Sequence, residues 1–143
     1  MAIEPQGDNQ TPQKRTLPFA LAELSERCMD NAAVAALLLD KFETQLNADI
    51  REIEQRLVTG DTGQIARTAH ALKGAAGAVA AAALEGLAAE IEIMARSDQL
   101  DSIARELSAL RVEVERCLAY LPVARGLLKS GTSGGLTATE AGQ

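Results

Sequence analysis

The sequence predicts an all-α protein: an antiparallel up-down four-helix bundle with a short extra N-terminal helix. Three observations carry that prediction. The composition is 47% hydrophobic but only 2% aromatic, and alanine and leucine outweigh β-branched residues, which favours helix over sheet. Pro5, Pro12, Pro18 and Pro122 all lie outside the interval 19–121, so nothing inside it forbids long helices. Within that interval apolar residues recur at steps of three and four, the period of a helix with one buried face.

The elements follow in order. Residues 1–16 are polar and carry Pro5, Gly7 and Pro12, so a disordered lead-in is expected before a domain at 17–122. Phe19 to Arg27 leaves room for a short helix with Phe19, Leu21 and Leu24 as its contacts. Asp30 and Asn31 are good N-cap residues for the next segment. Residues 32–58 form a long helix whose stripe is Leu39, Phe42, Leu46, Ile50, Ile53 and Leu57. Gly60 suits its C-terminal stop. Asp61 offers a new cap, and Gln64 completes the spacing of a capping box.

The third segment, counting the short first one, runs from about 62 to 79. The fourth carries Leu84, Leu87, Ala88, Ile91 and Met94 inward and ends near Arg96, after which Ser97 and Asp98 supply the next cap. The last has Leu100, Ile103, Leu107, Leu110, Val114, Cys117 and Leu121 in register, a seam suited to packing at about 20°. Pro122 closes it, and residues 123–143, with Gly131-Thr132-Ser133-Gly134-Gly135, are expected to be a flexible tail. Short connections between four such helices imply the antiparallel bundle.

The net charge of −6 disfavours a polyphosphate partner, and no basic stripe is present, so nucleic acid is not expected. No apolar run approaches the eighteen or so residues of a membrane span, and the first sixteen residues lack the apolar stretch of a signal peptide. Cytoplasmic location is the default expectation. The initiating Met and polar ends suggest a free-standing chain. Cys28 and Cys117 have no metal-like spacing and read as buried small hydrophobes, and a single histidine supplies too few ligands for a metal site.

The informative run is Thr68-Ala69-His70-Ala71-Leu72-Lys73-Gly74-Ala75-Ala76-Gly77-Ala78-Val79-Ala80-Ala81. At about 100° per residue, His70, Lys73, Gly74, Gly77 and Ala81 fall on one helical face, and Ile65, Ala69, Leu72, Ala76 and Val79 on the other. Glycine within a helix costs about 0.5–1 kcal/mol relative to alanine, so two beside the histidine ask for a reason. One reason is that something large must approach the imidazole.

The run Ala69-His70-Ala71-Leu72-Lys73-Gly74-Ala75-Ala76-Gly77 resembles the AH-x-LKG-AAG pattern of histidine-containing phosphotransfer (Hpt) domains of bacterial phosphorelays. Asp61, Ile65, Leu84, Leu87, Ile91 and Glu92 also fit flanking positions, so the resemblance covers about 19–121. The chain departs from the family where Ala80 stands for a common glycine, and where Ala78 stands for a residue that is often polar.

The resemblance implies a phosphocarrier rather than an enzyme. His70 would take a phosphoryl group from the phospho-aspartate of one receiver domain and pass it to the aspartate of another response regulator. It implies receiver domains and a hybrid sensor histidine kinase as partners, with Mg²⁺ bound by the receiver and no cofactor of the chain's own; a monomer is expected. Lys73, one turn on, would reach the phosphate oxygens as a mobile point charge. Gly74 and Gly77 would give docking clearance, Arg67 is a weaker accessory cation, and an Ala/Leu patch beside His70 would serve transient docking.

Blander readings stand beside these. A lone helical histidine is more often an ordinary residue, and Lys73 by itself a solvated lysine. Gly74 and Gly77 would equally permit close helix packing, with His70 buried at a crossing. Gly86 reads as a close-packing glycine. The alternative function is a helical module that binds a receiver or kinase without being phosphorylated. An acid–base enzyme has little support, since the carboxylates fall mainly on solvated faces and no phosphate loop appears.

Overall fold

Every connection between the helices turns on a residue in the left-handed region, and these corners set the bundle. The protein is described by a computed structural model covering residues 17–130. Its helices are α1 (Leu21–Arg27), α2 (Ala32–Thr59), α3 (Thr62–Ala78), α4 (Ala82–Arg96) and α5 (Leu100–Ser130), with no strand among the described residues. The corner residues are Met29 (φ 56°) with Asp30 (φ 59°), Gly60 (φ 77°), Ala80 (φ 60°) and Asp98 (φ 55°). Helix α2 packs on α3, α3 on α4, α4 on α5 and α5 back on α2, which closes the four-helix ring. Arg111 pairs with Glu54 while Arg125 pairs with Asp40 and Glu43, so α5 runs antiparallel to α2.

The predicted stripes are the core. Leu39, Phe42, Leu46 and Ile53 of α2 meet Ile65, Ala69, Leu72 and Ala76 of α3, Leu84, Ala88 and Ile91 of α4, and Ile103, Leu110, Val114 and Cys117 of α5. Ile50, Leu57, Leu87, Met94 and Leu100 are partly buried at its margin. Both cysteines are buried and free. Burial pushes the Cys117 thiol up to about 12, as suits a core residue.

Helix α1 begins at Leu21, two positions after its expected start. Phe19 is nevertheless fully buried, edge-on to Phe42 at 5.6 Å and 6.3 Å from Tyr120. The Ala20 N–H donates to the Ala80 carbonyl at 2.9 Å, which ties the start of α1 to the α3–α4 corner.

Caps were legible in part. Asn31 Oδ1 accepts from Val34 N and Asp61 Oδ1 from Gln64 N, each at 3.1 Å. The capping box is only half formed: the Gln64 amide donates to Thr68 Oγ1 and its oxygen accepts from Arg67, while Asp61 N donates to the Arg56 carbonyl. Ser97 and Asp98 do not cap α5. Asp98 occupies the corner and accepts from the Thr62 hydroxyl, and the Gln99 carbonyl accepts the first helical bond, from Ile103 N, at 3.0 Å. Ala81, expected beside His70, is instead buried at the entry to α4, because α3 ends at Ala78.

The largest correction concerns Pro122, which does not close the last helix. Helix α5 runs through it to Ser130, so 123–130 belongs to the bundle rather than to a tail. A proline inside a helix costs about 3 kcal/mol. Burying a leucine side chain returns about 1.5–3 kcal/mol, and beyond or beside the proline Leu121, Ala124 and Leu128 are all buried. Arg125 adds its pairs to Asp40 and Glu43. Burial outweighs the missing N–H. The expected disordered segment 1–16 and the rest of the expected tail, 131–143, lie outside the described residues.

Candidate functional site

Helix α3 buries Ile65, Ala69, Leu72 and Ala76, and Val79 is buried just beyond its end. That face fixes the opposite one. The His70 side chain is 64% exposed, which rules out its burial at a helix crossing. Lys73 stands one turn further along, partly exposed.

Both side chains converge on Glu92, which α4 presents from the neighbouring helix. Its side chain is only 9% exposed. Oε2 lies 3.0 Å from His70 Nδ1 and accepts from Arg96 Nη2 at 2.7 Å and Nε at 3.1 Å. Oε1 receives the Lys73 ammonium at 2.8 Å. The two oxygens therefore have separate duties: one holds the imidazole and Arg96, the other holds Lys73.

The Lys73 hydrogen bond and then that of Arg96 hold the Glu92 carboxyl down at about 2, against burial that would raise it, with a smaller contribution from His70. Glu92 is thus ionised at any ordinary pH. An ionised carboxylate accepts hydrogen bonds and donates none. His70 Nδ1 must therefore carry the proton, and in the neutral ring Nε2 keeps the lone pair. The site presents an accessible nitrogen nucleophile with a cation within reach, an arrangement competent to take and return a phosphoryl group.

Sequence reasoning placed Glu92 only as a flanking match and put the carboxylates on solvated faces. Its role was missed. A signal existed: Glu92 lies four residues after Ala88 and beside Ile91, on the inward stripe of α4, with Arg96 four residues on. A carboxylate on a buried face needs partners, and besides Arg96 the neighbouring helix offers Lys73, on the His70 face.

The other candidates separate. A Cβ added at Gly74 would meet nothing within 4 Å, so the surface there is open. At Gly77 it would lie 3.1 Å from Glu85 Oε2, and the Gly77 carbonyl accepts from Arg27 Nη1 at 2.5 Å. Gly77 is crowded by neighbours within the domain rather than facing free space. Gly86 is exposed with nothing within 4 Å, so the close packing expected of it does not occur. Arg67 is held by Gln64 Oε1 at 2.9 and 3.1 Å and lines a shallow hollow with Arg96 and Asp98. Of the Ala/Leu patch expected beside His70, Ala71 is exposed while Leu72 is buried and adds nothing to it.

Among the described residues no group of His, Cys, Asp and Glu is placed to hold a metal ion. None of the described helices is long and apolar enough to cross a membrane. Comparison with known proteins agrees with the geometry. The family model described as Hpt domain matches residues 37–120, more than half of the chain. The crystal structure of histidine-containing phosphotransfer protein B (HptB) from Pseudomonas aeruginosa PAO1 is similar, with a TM-score of 0.66 and 26% sequence identity. The match covers 74% of this chain and 90% of that one. Curated protein sequences give no match.

Proposed function

This chain belongs to the Hpt-domain family, and on that premise we propose that it carries a phosphoryl group on His70 Nε2 between receiver domains of a phosphorelay. The observation that supports this most directly is the exposed imidazole whose Nδ1 is bound to an ionised, buried carboxylate.

Loading begins with the lone pair of Nε2 attacking phosphorus in the aspartyl phosphate of a donor receiver. The N–P bond forms, the acyl-phosphate P–O bond breaks, and the electron pair leaves with the donor aspartate as a carboxylate. Nδ1 keeps its proton, and the ring becomes cationic while facing the Glu92 anion at 3.0 Å. Unloading reverses the roles: the carboxylate of a second receiver attacks phosphorus and the N–P electron pair returns to Nε2. The receiver brings Mg²⁺ with its own aspartates. What this chain contributes is position and charge, the main demands of phosphoryl transfer. Lys73, one turn along from His70, is the mobile cation for the phosphoryl oxygens, Gly74 leaves the approach open, and Arg67 is a weaker accessory.

The test is incubation with a panel of phosphorylated receivers in Mg²⁺, comparing wild type with His70→Gln. Wild type should gain acid-labile, base-stable phosphate. His70→Gln should gain none, with helicity and melting nearly unchanged because the ring is exposed. Labelling that survives the substitution would refute the assignment, and binding without any labelling of wild type would favour a phosphate-free interaction module.

A further inference from the structure

Lys73 gives up its bond to Glu92 if its ammonium is drawn fully onto a phosphoryl group. Its ammonium is a single point charge, 2.8 Å from Oε1. Departure would leave a carboxylate that is 9% exposed without that partner, and an uncompensated buried charge strongly resists formation. Something must make the departure cheap.

We propose that Arg96 is a positioning residue that frees Lys73: it remains on Glu92 as resident counter-ion, so the ammonium can pass from Glu92 to the phosphoryl oxygens when His70 is loaded. Three features of the geometry point to it. Arg96 binds Oε2 through both Nε and Nη2, so its hold does not depend on Oε1, the oxygen that Lys73 vacates. Arg96 and Glu92 are four residues apart on one helix, and the pair persists without help from α3. Oε2 is also the oxygen bound to His70 Nδ1. By fixing Oε2, Arg96 keeps the ring oriented through the exchange, while Oε1 is the only oxygen whose partner changes.

The exchange involves no bond other than hydrogen bonds. Before loading, Glu92 is neutralised by Lys73 and Arg96. After it, the new N–P group brings negative oxygens beside the ring, Lys73 moves to them, and Glu92 is neutralised by Arg96 and the cationic imidazolium. At both stages Glu92 keeps two cationic partners. Arg96 touches neither the phosphoryl group nor the reacting nitrogen, and its effect passes entirely through Glu92 and Lys73.

This inference rests on the phosphocarrier reading, and a double-mutant cycle separates the two. The initial rate of phosphoryl uptake from a saturating phosphorylated receiver is measured for wild type, Arg96→Gln, Arg96→Lys, Glu92→Gln and Glu92→Gln with Arg96→Gln. Arg96→Gln should slow uptake about tenfold, and Arg96→Lys should restore it to within about threefold of wild type. In the Glu92→Gln background the ammonium is no longer held by a charge. There, Arg96→Gln should change the rate by less than about twofold. In ¹⁵N spectra of the full chain, the Lys73 Nζ signal should shift on loading in wild type and stay in place in Arg96→Gln. Equal cost of Arg96→Gln in both backgrounds would mean that Arg96 contacts the receiver or the phosphate directly, and would overturn the proposal while leaving the carrier intact. Wild type that takes up no phosphate at His70 overturns both.

Discussion

At the scale of single residues, the feature that organises the site is Glu92. Its carboxyl is held near 2, below the usual carboxylate range of about 4.5, by Lys73 and Arg96. The sign of the linkage follows. A group whose folded pKa is depressed contributes stability that is fully present above its unfolded pKa and is lost as the folded one is approached. Wild type should therefore lose stability as pH falls from about 4.5 to about 2, and Glu92→Gln should flatten that part of the profile. Urea midpoints measured at intervals between pH 5 and 2 check this. Identical slopes for the two proteins would show that the carboxylate is not paired as described. The Glu92 amide variant can accept from Nδ1 or donate to it, so it no longer fixes the His70 tautomer, and Lys73 and Arg96 lose their anchor.

At the scale of elements, the last helix and its proline carry a prediction opposite to a purely local reading. Leu128 is 3% exposed, six residues beyond Pro122. Leu128→Ala should cost about 2–4 kcal/mol in chemical denaturation, whereas a leucine in a tail would cost almost nothing. The α3–α4 corner carries another. Ala80 holds φ 60° without being glycine, a conformation that costs an L-residue about 1–2 kcal/mol. Ala80→Gly should raise stability by about 0.5–1 kcal/mol once the greater freedom of the unfolded chain is subtracted. A midpoint that falls would contradict the corner.

These two places also show what the sequence could and could not disclose. The starts of α2 and α3, and the end of α2, were legible because Asn31, Gly60 and Asp61 act on their immediate neighbours. The outward face of α3 was legible because periodicity is local. Pro122 misled because the rule for proline is local too, while the burial of Leu121, Ala124 and Leu128 against the bundle is not. The Ala80 corner was marked by the departure from the family glycine, and α3 ends at Ala78, one residue from the expected 79. The Glu92 site was hidden for a similar reason: twenty-two residues separate it from His70, and no spacing rule joins positions on two helices.

At the scale of the whole molecule, charge is unevenly placed. Acidic residues exceed basic ones, 20 against 14, yet beside His70 the single carboxylate of Glu92 meets both Lys73 and Arg96, and Arg67 lies beside Arg96. Such a basic island on an acidic body would steer the acidic active-site face of a receiver toward one side of the bundle. The second-order rate constant for loading should fall severalfold between about 50 and 500 mM salt, with the saturated rate changing less. Stopped-flow transfer at graded ionic strength checks this, and a loading constant indifferent to salt would remove steering from the account. The same scale explains why a chain with so few aromatics closes well at the end where α1 sits. Phe19 fills the space between α2 and α5 with a ring packed on Phe42 and Tyr120, and α1 covers it.

The imidazole rides on one helix and the carboxylate that orients it rides on the next. Its tautomer is therefore a readout of how those two rods are aligned. A slide of α4 along α3 by a single residue, about 1.5 Å, would break a 3.0 Å contact and leave the ring free to spin. A partner that wedged the pair apart would silence the nucleophile without ever touching it.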